Sequence, residues 1–153
     1  MVISELNVER IEKHLSLIQE YLGELRNFSL LSEEEFLSDN RNFAASESYL
    51  RKALESMFDI GRHILAKTYG SKELEYKKIA VELGKKGVIE DKNYADTVLL
   101  KMAGYRNRLV HMYHEVSNTE LYGIIKNHLA DIDRFIEEIA AFLTKYIQNK
   151  PSL

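Results

Sequence analysis

The sequence predicts an all-α protein, an up-and-down bundle of four main helices with one or two short helices. Apolar residues recur at spacings of three and four along most of the chain, which is the repeat of one helix face. No segment alternates apolar and polar residues for long enough to predict a strand. The single proline, Pro151, lies near the C-terminal end, so proline interrupts none of the expected helices.

The first half of the chain predicts two long helices separated by a short one. Ser32 and Glu35 have the spacing of a capping box and predict a short helix that runs to Leu37. The second long helix follows candidate caps at residues 38–40 and ends at Gly70, because glycine is favoured just after the last helical turn. The first long helix ends before a turn at residues 27–31, and its core-facing residues are Ile11, Leu15, Ile18, Leu22 and Leu25.

The middle of the chain predicts a shorter helix and then a long one. Residues 71–83, including Leu74 on the apolar face, have the pattern of a short amphipathic helix. Asp91 is a candidate N-cap for a helix over residues 92–111, because its carboxylate can accept bonds from the first free backbone amides.

The C-terminal part has the clearest helical pattern. Ser117 and Glu120 form a second capping-box pattern, and one continuous helix is expected after it. His128 lies on the apolar stripe of that helix, so we interpret it as a core or interface histidine with a hydrogen-bond partner. The stripe has heptad spacing and comprises Leu121, Ile125, His128, Ile132, Phe135, Ile139, Phe142 and Tyr146.

Composition excludes several classes of protein. With a formal net charge of −3, any nucleic-acid binding requires a local basic patch rather than bulk charge. Cysteine is absent, which excludes disulfides and thiolate metal sites and fits a cytoplasmic protein. No apolar run reaches the ~18–20 residues of a membrane helix, and the N-terminus has no signal-peptide pattern. We expect a single domain over residues 1–147 and a tail over residues 148–153.

The sequence lacks the motifs of the enzyme classes that are easiest to recognise. Di-iron helical bundles use Glu-x-x-His pairs, but none of the five histidines has a glutamate three residues before it. The sequence also contains no His-Glu-x-x-His metal site, phosphate-binding glycine loop or nucleophile elbow. We therefore expect neither a metal nor a cofactor.

One stretch, residues 101–114, concentrates cationic and aromatic side chains. It holds three permanent cations, two histidines and two tyrosines, and no acidic residue. It is therefore the best local candidate for binding phosphate. Asn107 and His111 share one helix face, whereas Arg106 lies about 140° from His111 around the helix. A long side chain or a second subunit must therefore bring Arg106 to His111.

These residue types suit the cleavage of RNA. Histidine titrates near neutral pH and acts as a general base or acid, and arginine binds a phosphodiester through paired hydrogen bonds. RNA supplies its own nucleophile, the 2′-OH, so cleavage needs no metal ion. Gly104 costs about 1 kcal/mol inside a helix and predicts a close approach of another group. From spacing alone, an ordinary surface helix end with scattered cations remains the alternative.

The block from Met102 to Tyr113 closely resembles the Arg-x4-His-x-Tyr signature of HepT-type toxins, which belong to the HEPN superfamily. The resemblance covers most of the chain and is strongest over residues 77–143. It implies a small HEPN-like helical bundle that forms a homodimer, with a composite cleft built from both copies of the signature.

The resemblance also implies an activity and a partner. HepT-type toxins are metal-independent endoribonucleases of type VII toxin–antitoxin systems. By resemblance, Arg106 would clamp and activate the phosphodiester, Asn107 would orient it, and His111 would be the general base or acid. The antitoxin would be an MntA-like minimal nucleotidyltransferase, which inhibits the toxin by adding AMP to Tyr113. His114 receives no role.

Two other interpretations remain open. HEPN bundles also act as non-catalytic partners of nucleotidyltransferases, and in that case Arg106 and His111 would bind a nucleotide or substrate phosphate without cleaving RNA. A plain dimerising scaffold is the third interpretation. The intact Arg-x4-His pair favours the enzyme, whereas the acidic net charge gives the other two some support.

Overall fold

The computed structural model describes residues 5–111 and 116–149. Within these ranges every regular element is helical, so the predicted all-α class is confirmed. No helix in them is long and apolar enough to cross a membrane. The elements in chain order are α1 (Val8–Ser29), α2 (Glu33–Leu37), α3 (Asn40–Tyr69), α4 (Tyr76–Lys85), α5 (Lys92–Tyr94), a π-helical segment (Ala95–Leu99), α6 (Leu100–His111), α7 (Asn118–Asn127) and α8 (Leu129–Gln148).

The central helix of the bundle is α3. It packs most extensively against α1 and also contacts α2, α4, α6 and α7. The apolar faces of these helices meet in one hydrophobic core, as expected when amphipathic helices bury one stripe each. Its largest fully buried side chains are Ile11, Ile18, Leu22, Leu25, Phe36, Leu50, Leu54, Met57, Phe58, Ile60, Ile64 and Phe135.

Several predicted helix ends are confirmed. Ser32 and Glu35 form a complete capping box: the Glu35 amide donates to the Ser32 hydroxyl (3.1 Å), and the Ser32 amide donates to a Glu35 carboxylate oxygen (2.9 Å). Asp39 and Asp91 accept backbone N–H bonds at the starts of α3 and α5. Gly70 ends α3 in the left-handed conformation, with φ 67°. These ends follow from local sequence.

The prediction of one continuous final helix is wrong. The chain breaks between α7 and α8 at His128, whose side chain is 51% exposed rather than in the core. Its Nδ1 lies 3.4 Å from a carboxylate oxygen of Asp131. The buried stripe passes from Ile125 to Leu129 and leaves His128 outside it. Since the heptad spacing continues across the break, spacing alone does not reveal it.

The start of α4 also differs from the prediction. The helix begins at Tyr76, and Leu74, expected on its apolar face, is 68% exposed. The Ser71 hydroxyl accepts the Glu73 N–H (3.2 Å), and the Glu73 carboxylate accepts the N–H groups of Leu74 and Glu75 (3.1 Å each). These side chains satisfy backbone donors in a non-helical conformation, which competes with helix formation.

A π-helical segment interrupts the helix predicted over residues 92–111. Both this segment and α6 pack against α4. The contact is close at Gly84, because a Cβ added there would lie 2.8 Å from the Cβ of Ala95. Gly84 therefore sets the distance between α4 and the segment that leads into α6.

A bidentate ion pair joins α6 to α7. The two terminal nitrogens of Arg108 donate to the two carboxylate oxygens of Glu120 at 2.7 and 2.8 Å. The Ser117 hydroxyl accepts the Glu120 N–H (3.1 Å), as the capping-box pattern predicts, while the Glu120 carboxylate binds Arg108. Hydrogen bonding from Arg108 lowers the pKa of Glu120 below its ordinary value of 4.5.

We expect Gly84→Ala to lower the free energy of unfolding by about 1–3 kcal/mol, because the rigid Ala95 Cβ cannot rotate away from the new methyl group. Gly23→Ala is the control. Nothing lies within 4 Å of a Cβ added at Gly23, so alanine's helix propensity should raise stability by up to about 1 kcal/mol. Urea denaturation measures the free energy of unfolding of both variants. Equal effects would contradict the close contact between Gly84 of α4 and Ala95.

The Arg108–Glu120 pair should make the free energy of unfolding decrease at acid pH. Because the folded-state pKa of Glu120 is lowered, its stabilisation is present above pH 4.5 and is lost as pH falls through the folded value. Glu120→Gln should destabilise the protein by about 1 kcal/mol at neutral pH, and the difference should disappear once the pH has fallen below the folded-state pKa of Glu120. Glu24→Gln, an exposed change on α1, is the control in urea denaturation. A difference that persists unchanged at low pH would contradict the pair.

Candidate functional site

Three of the four site residues expected from the sequence line one groove. Arg106, Asn107 and His111 face a groove of about 510 Å³ between α6 and the start of α4. The sequence separates Arg106 and His111 by about 140° around α6, but the length of the arginine side chain brings both to the same groove within a single chain. The other lining residues are Arg62, Leu74, Glu75, Tyr76 and Lys77.

Aromatic and polar contacts hold the Arg106 guanidinium. Its carbon lies 4.4 Å from the centre of the Tyr76 ring, a cation–π distance. One terminal nitrogen donates to a Glu55 carboxylate oxygen at 3.3 Å, and the other lies 3.5 Å from the Asn107 amide oxygen. The side chain is only 20% exposed. Arg106 is therefore fixed before any ligand arrives.

The Nε atom of Arg106 is buried, and no acceptor among the described residues bonds to it. A buried donor without a partner costs free energy unless something satisfies it. This unpaired N–H therefore adds to the free-energy cost of burying Arg106 at this position.

Tyr76 is a site residue that the sequence did not reveal. It is the first residue of α4, and its ring stacks on Phe58 of α3 with centres 4.8 Å apart and planes at 16°. Burial raises the pKa of the Tyr76 hydroxyl, and the nearby Arg106 cation opposes part of the rise. The side chain is therefore a neutral, rigid platform at neutral pH. No spacing rule links Tyr76 to Arg106, because their contact depends on the packing of α4 against α6.

Glu55 is a second site residue that sequence reasoning missed. It lies on α3, where side chains of alternating charge form a row of ion pairs that ends at Arg106 of α6. We call this row, Glu47–Arg51–Glu55–Arg106, the charge ladder. Arg51 donates to Glu47 at 3.0 Å and to Glu55 at 3.2 Å, and Glu55 also accepts from Arg106. Glu55 therefore accepts hydrogen bonds from two arginines. A phosphate that enters the groove would compete with this shared carboxylate for Arg106.

His111 ends α6 and is exposed. Asn107 lies one turn before it, so the two side chains lie on one helix face, as the spacing predicts. Tyr113 and His114 fall in residues 112–115, outside the described residues.

The groove has the chemistry of a phosphodiester site. It offers a fixed guanidinium, an amide and an exposed imidazole within one chain. In residues 5–111 and 116–149, no three histidine, aspartate or glutamate side chains are grouped to bind a metal ion.

Comparison with known proteins relates this chain to a family of ribonucleases. The family model described as ribonuclease HepT-like matches residues 18–139. The tRNA nuclease HepT of Aphanizomenon flos-aquae is 28% identical over 133 residues, which are 87% of this chain and 89% of that protein.

Two solved structures have the same fold. A tri-AMPylated Shewanella oneidensis HEPN toxin in complex with an MNT antitoxin has a TM-score of 0.77 at 23% identity, and the match covers 86% of this chain and 97% of that chain. YutE of Bacillus subtilis, a cytosolic protein of unknown function, has a TM-score of 0.77 at 21% identity over all of both chains. The resemblance inferred from Met102 to Tyr113 is thereby confirmed. Because the family model spans most of the sequence, the chain belongs to the ribonuclease HepT-like family.

Proposed function

We propose that this protein is a metal-independent endoribonuclease, the toxin of a toxin–antitoxin pair. The observation that carries the proposal is the groove in which Arg106, already fixed by Tyr76 and Glu55, faces the exposed His111. Membership of a ribonuclease family and the tRNA nuclease relative support it. RNA is the proposed substrate, and tRNA is the first class to test.

The proposed reaction uses only groups of the RNA and of the groove. Neutral His111 accepts the proton of the 2′-OH as that oxygen attacks the adjacent phosphorus. Arg106 donates to the non-bridging oxygens, where negative charge increases in the transition state, and Asn107 orients the phosphate. The bond from phosphorus to O5′ breaks, and O5′ takes a proton from water. The protonated His111 gives its proton to the hydroxide so formed, and the products are a 2′,3′-cyclic phosphate and a 5′-OH.

We also propose that two copies form a homodimer through the groove between α3 and α6. Phe43, Leu109, Val110 and Val116 line it beside the charge pair of Glu47 and Arg51. A surface with apolar groups and both signs of charge can pair with itself about a two-fold axis. Arg106 and His111 already share a groove in one chain, so the dimer would combine two grooves in one cleft. Sedimentation that shows only monomer at micromolar concentration would contradict this assembly.

The proposed partner is an MntA-like nucleotidyltransferase that adds AMP to Tyr113. Support comes from the similar fold of the AMPylated HEPN toxin bound to an MNT antitoxin. Tyr113 follows His111 by two residues. An adenylate there would bring an anionic phosphodiester to Arg106 and compete with RNA phosphate for the same cation.

One observation favours a second candidate, a non-catalytic binding partner of a nucleotidyltransferase. Arg106 is mostly buried and already paired with Glu55. Such a fixed guanidinium suits a site that binds a phosphate group without cleaving it. The cleavage assay separates the two candidates.

His111→Ala should reduce RNA cleavage by about 10²–10⁴-fold, because the reaction loses its general base. Arg106→Lys should reduce it by at least about 10²-fold, since lysine cannot reproduce the planar guanidinium. His128→Ala and Arg41→Lys are matched controls on exposed residues elsewhere. Cleavage of labelled RNA should continue in EDTA and leave a 2′,3′-cyclic phosphate. Loss of cleavage in EDTA that magnesium restores would contradict the mechanism.

Tyr113→Phe should keep the helical circular dichroism signal and prevent inhibition by the nucleotidyltransferase, because the phenylalanine ring has no oxygen to accept AMP. Tyr69→Phe is the control, since its hydroxyl is occupied at the α3 end by the Lys86 carbonyl. The measurement is mass spectrometry of peptides after incubation with the transferase and ATP, together with the residual cleavage rate. AMP found only on another tyrosine would exclude Tyr113 from the regulation.

A further inference from the structure

A second groove adjoins the Arg106–His111 groove on the other side of α6. Its volume is about 410 Å³, and Lys77 of α4 lines both grooves. Lys101, Gly104, Tyr105 and Arg108 form its α6 wall. The two grooves are therefore neighbours, and Lys77 lies between them.

The second groove is a cationic surface with an aromatic ring. Lys77 and Lys101 are exposed, and neither is in an ion pair with any residue in the described ranges. The Lys101 Nζ lies 5.8 Å and the Arg108 Cζ 5.7 Å from the centre of the Tyr105 ring. In a chain of net charge −3, this concentration of unneutralised lysine next to an aromatic side chain is typical of single-strand RNA surfaces.

Gly104 lines the second groove, and protein packing does not require it. A Cβ added at Gly104 would touch only the Cε of Lys77, at 3.7 Å, an ordinary contact with a flexible side chain. The close approach expected from the sequence is thus not made by any described residue. Glycine still costs about 1 kcal/mol inside a helix, so its bare backbone is available to a ligand that crosses α6 at this point.

We propose that the second groove is a binding site for the nucleotides that flank the scissile phosphate, so that a single RNA strand passes from the Arg106–His111 groove over Gly104. Lys77 and Lys101 bind backbone phosphates, and Tyr105 offers its ring to one base. This inference rests on the proposed ribonuclease function and assigns the substrate an extended single-stranded footprint rather than one phosphate.

Charge favours RNA over a second copy of the chain as the occupant. A two-fold contact places the same surface on both sides. Here it would bring Lys77 and Lys101 of one copy against the same lysines of the other, and like charges in contact destabilise an interface. A polyanion neutralises them and gains affinity from released counterions.

Binding to a labelled single-stranded RNA of about twelve nucleotides tests the inference. All proteins carry His111→Ala, which keeps the RNA intact during fluorescence anisotropy. Adding Lys77→Gln and Lys101→Gln should raise Kd about tenfold. The slope of log affinity against log salt should become shallower by about 1.4, because roughly 0.7 is lost per single-strand phosphate contact. Lys13→Gln with Lys85→Gln removes the same charge from exposed sites on α1 and the far end of α4. An equal Kd and salt slope in the two double variants would overturn the inference.

Cleavage separates this inference from the proposed function. In a chain that retains His111, Lys101→Gln should raise KM for the twelve-nucleotide RNA and so lower kcat/KM about threefold or more. A dinucleotide is too short to reach the second groove, so its cleavage should not change. Equal losses on both substrates would overturn a separate flanking site. Weakened dimerisation in sedimentation with unchanged RNA affinity would assign the surface to a second copy and overturn it as well. If the unsubstituted chain cuts no RNA, the ribonuclease proposal itself fails, whatever the lysine variants show.

Discussion

The candidate site depends on how the structure accommodates one mostly buried cation, Arg106. A guanidinium removed from water needs partners that replace its hydration. The ring of Tyr76 and the carboxylate of Glu55 supply them from two different helices. Helices α3, α4 and α6 must therefore be in place together before Arg106 can face the groove. The close contact of Gly84 with Ala95 contributes to that placement, because it fixes how near α4 lies to the segment preceding α6.

Two arginines on α6 connect it to the bundle through opposite neighbours. Arg106 pairs with Glu55 of α3, and Arg108 pairs with Glu120 of α7. Each guanidinium therefore has a structural bond and also borders one of the two grooves beside α6. The acidic net charge of the chain is compatible with the proposed RNA site for this reason. Glu55 and Glu120 bond to the arginines, Glu75 at the groove edge pairs with Lys78, and Lys77 and Lys101 form no ion pair within the described residues.

Local sequence predicts what local interactions determine. The caps at Ser32, Asp39 and Asp91 and the α6 residues of the groove could be read from the chain, because each depends on neighbours within a few positions. Tyr76 and Glu55 could not, since they meet Arg106 across α4 and α3 and carry no spacing signal. The break at His128 and the late start of α4 were missed for another reason: side-chain and packing contacts override an apolar repeat that continues through them.

The charge ladder on α3 gives the site a control that lies outside the groove. Glu47 and Glu55 share Arg51, and Glu55 is in turn shared with Arg106. A change at Glu47, two helical turns from Glu55, alters how strongly Arg51 binds the Glu55 carboxylate. The strength of the bond from Glu55 to Arg106 changes as a result. Evolution can therefore adjust how firmly Arg106 is held, in small steps at Glu47, while the residues that line the Arg106 groove stay the same.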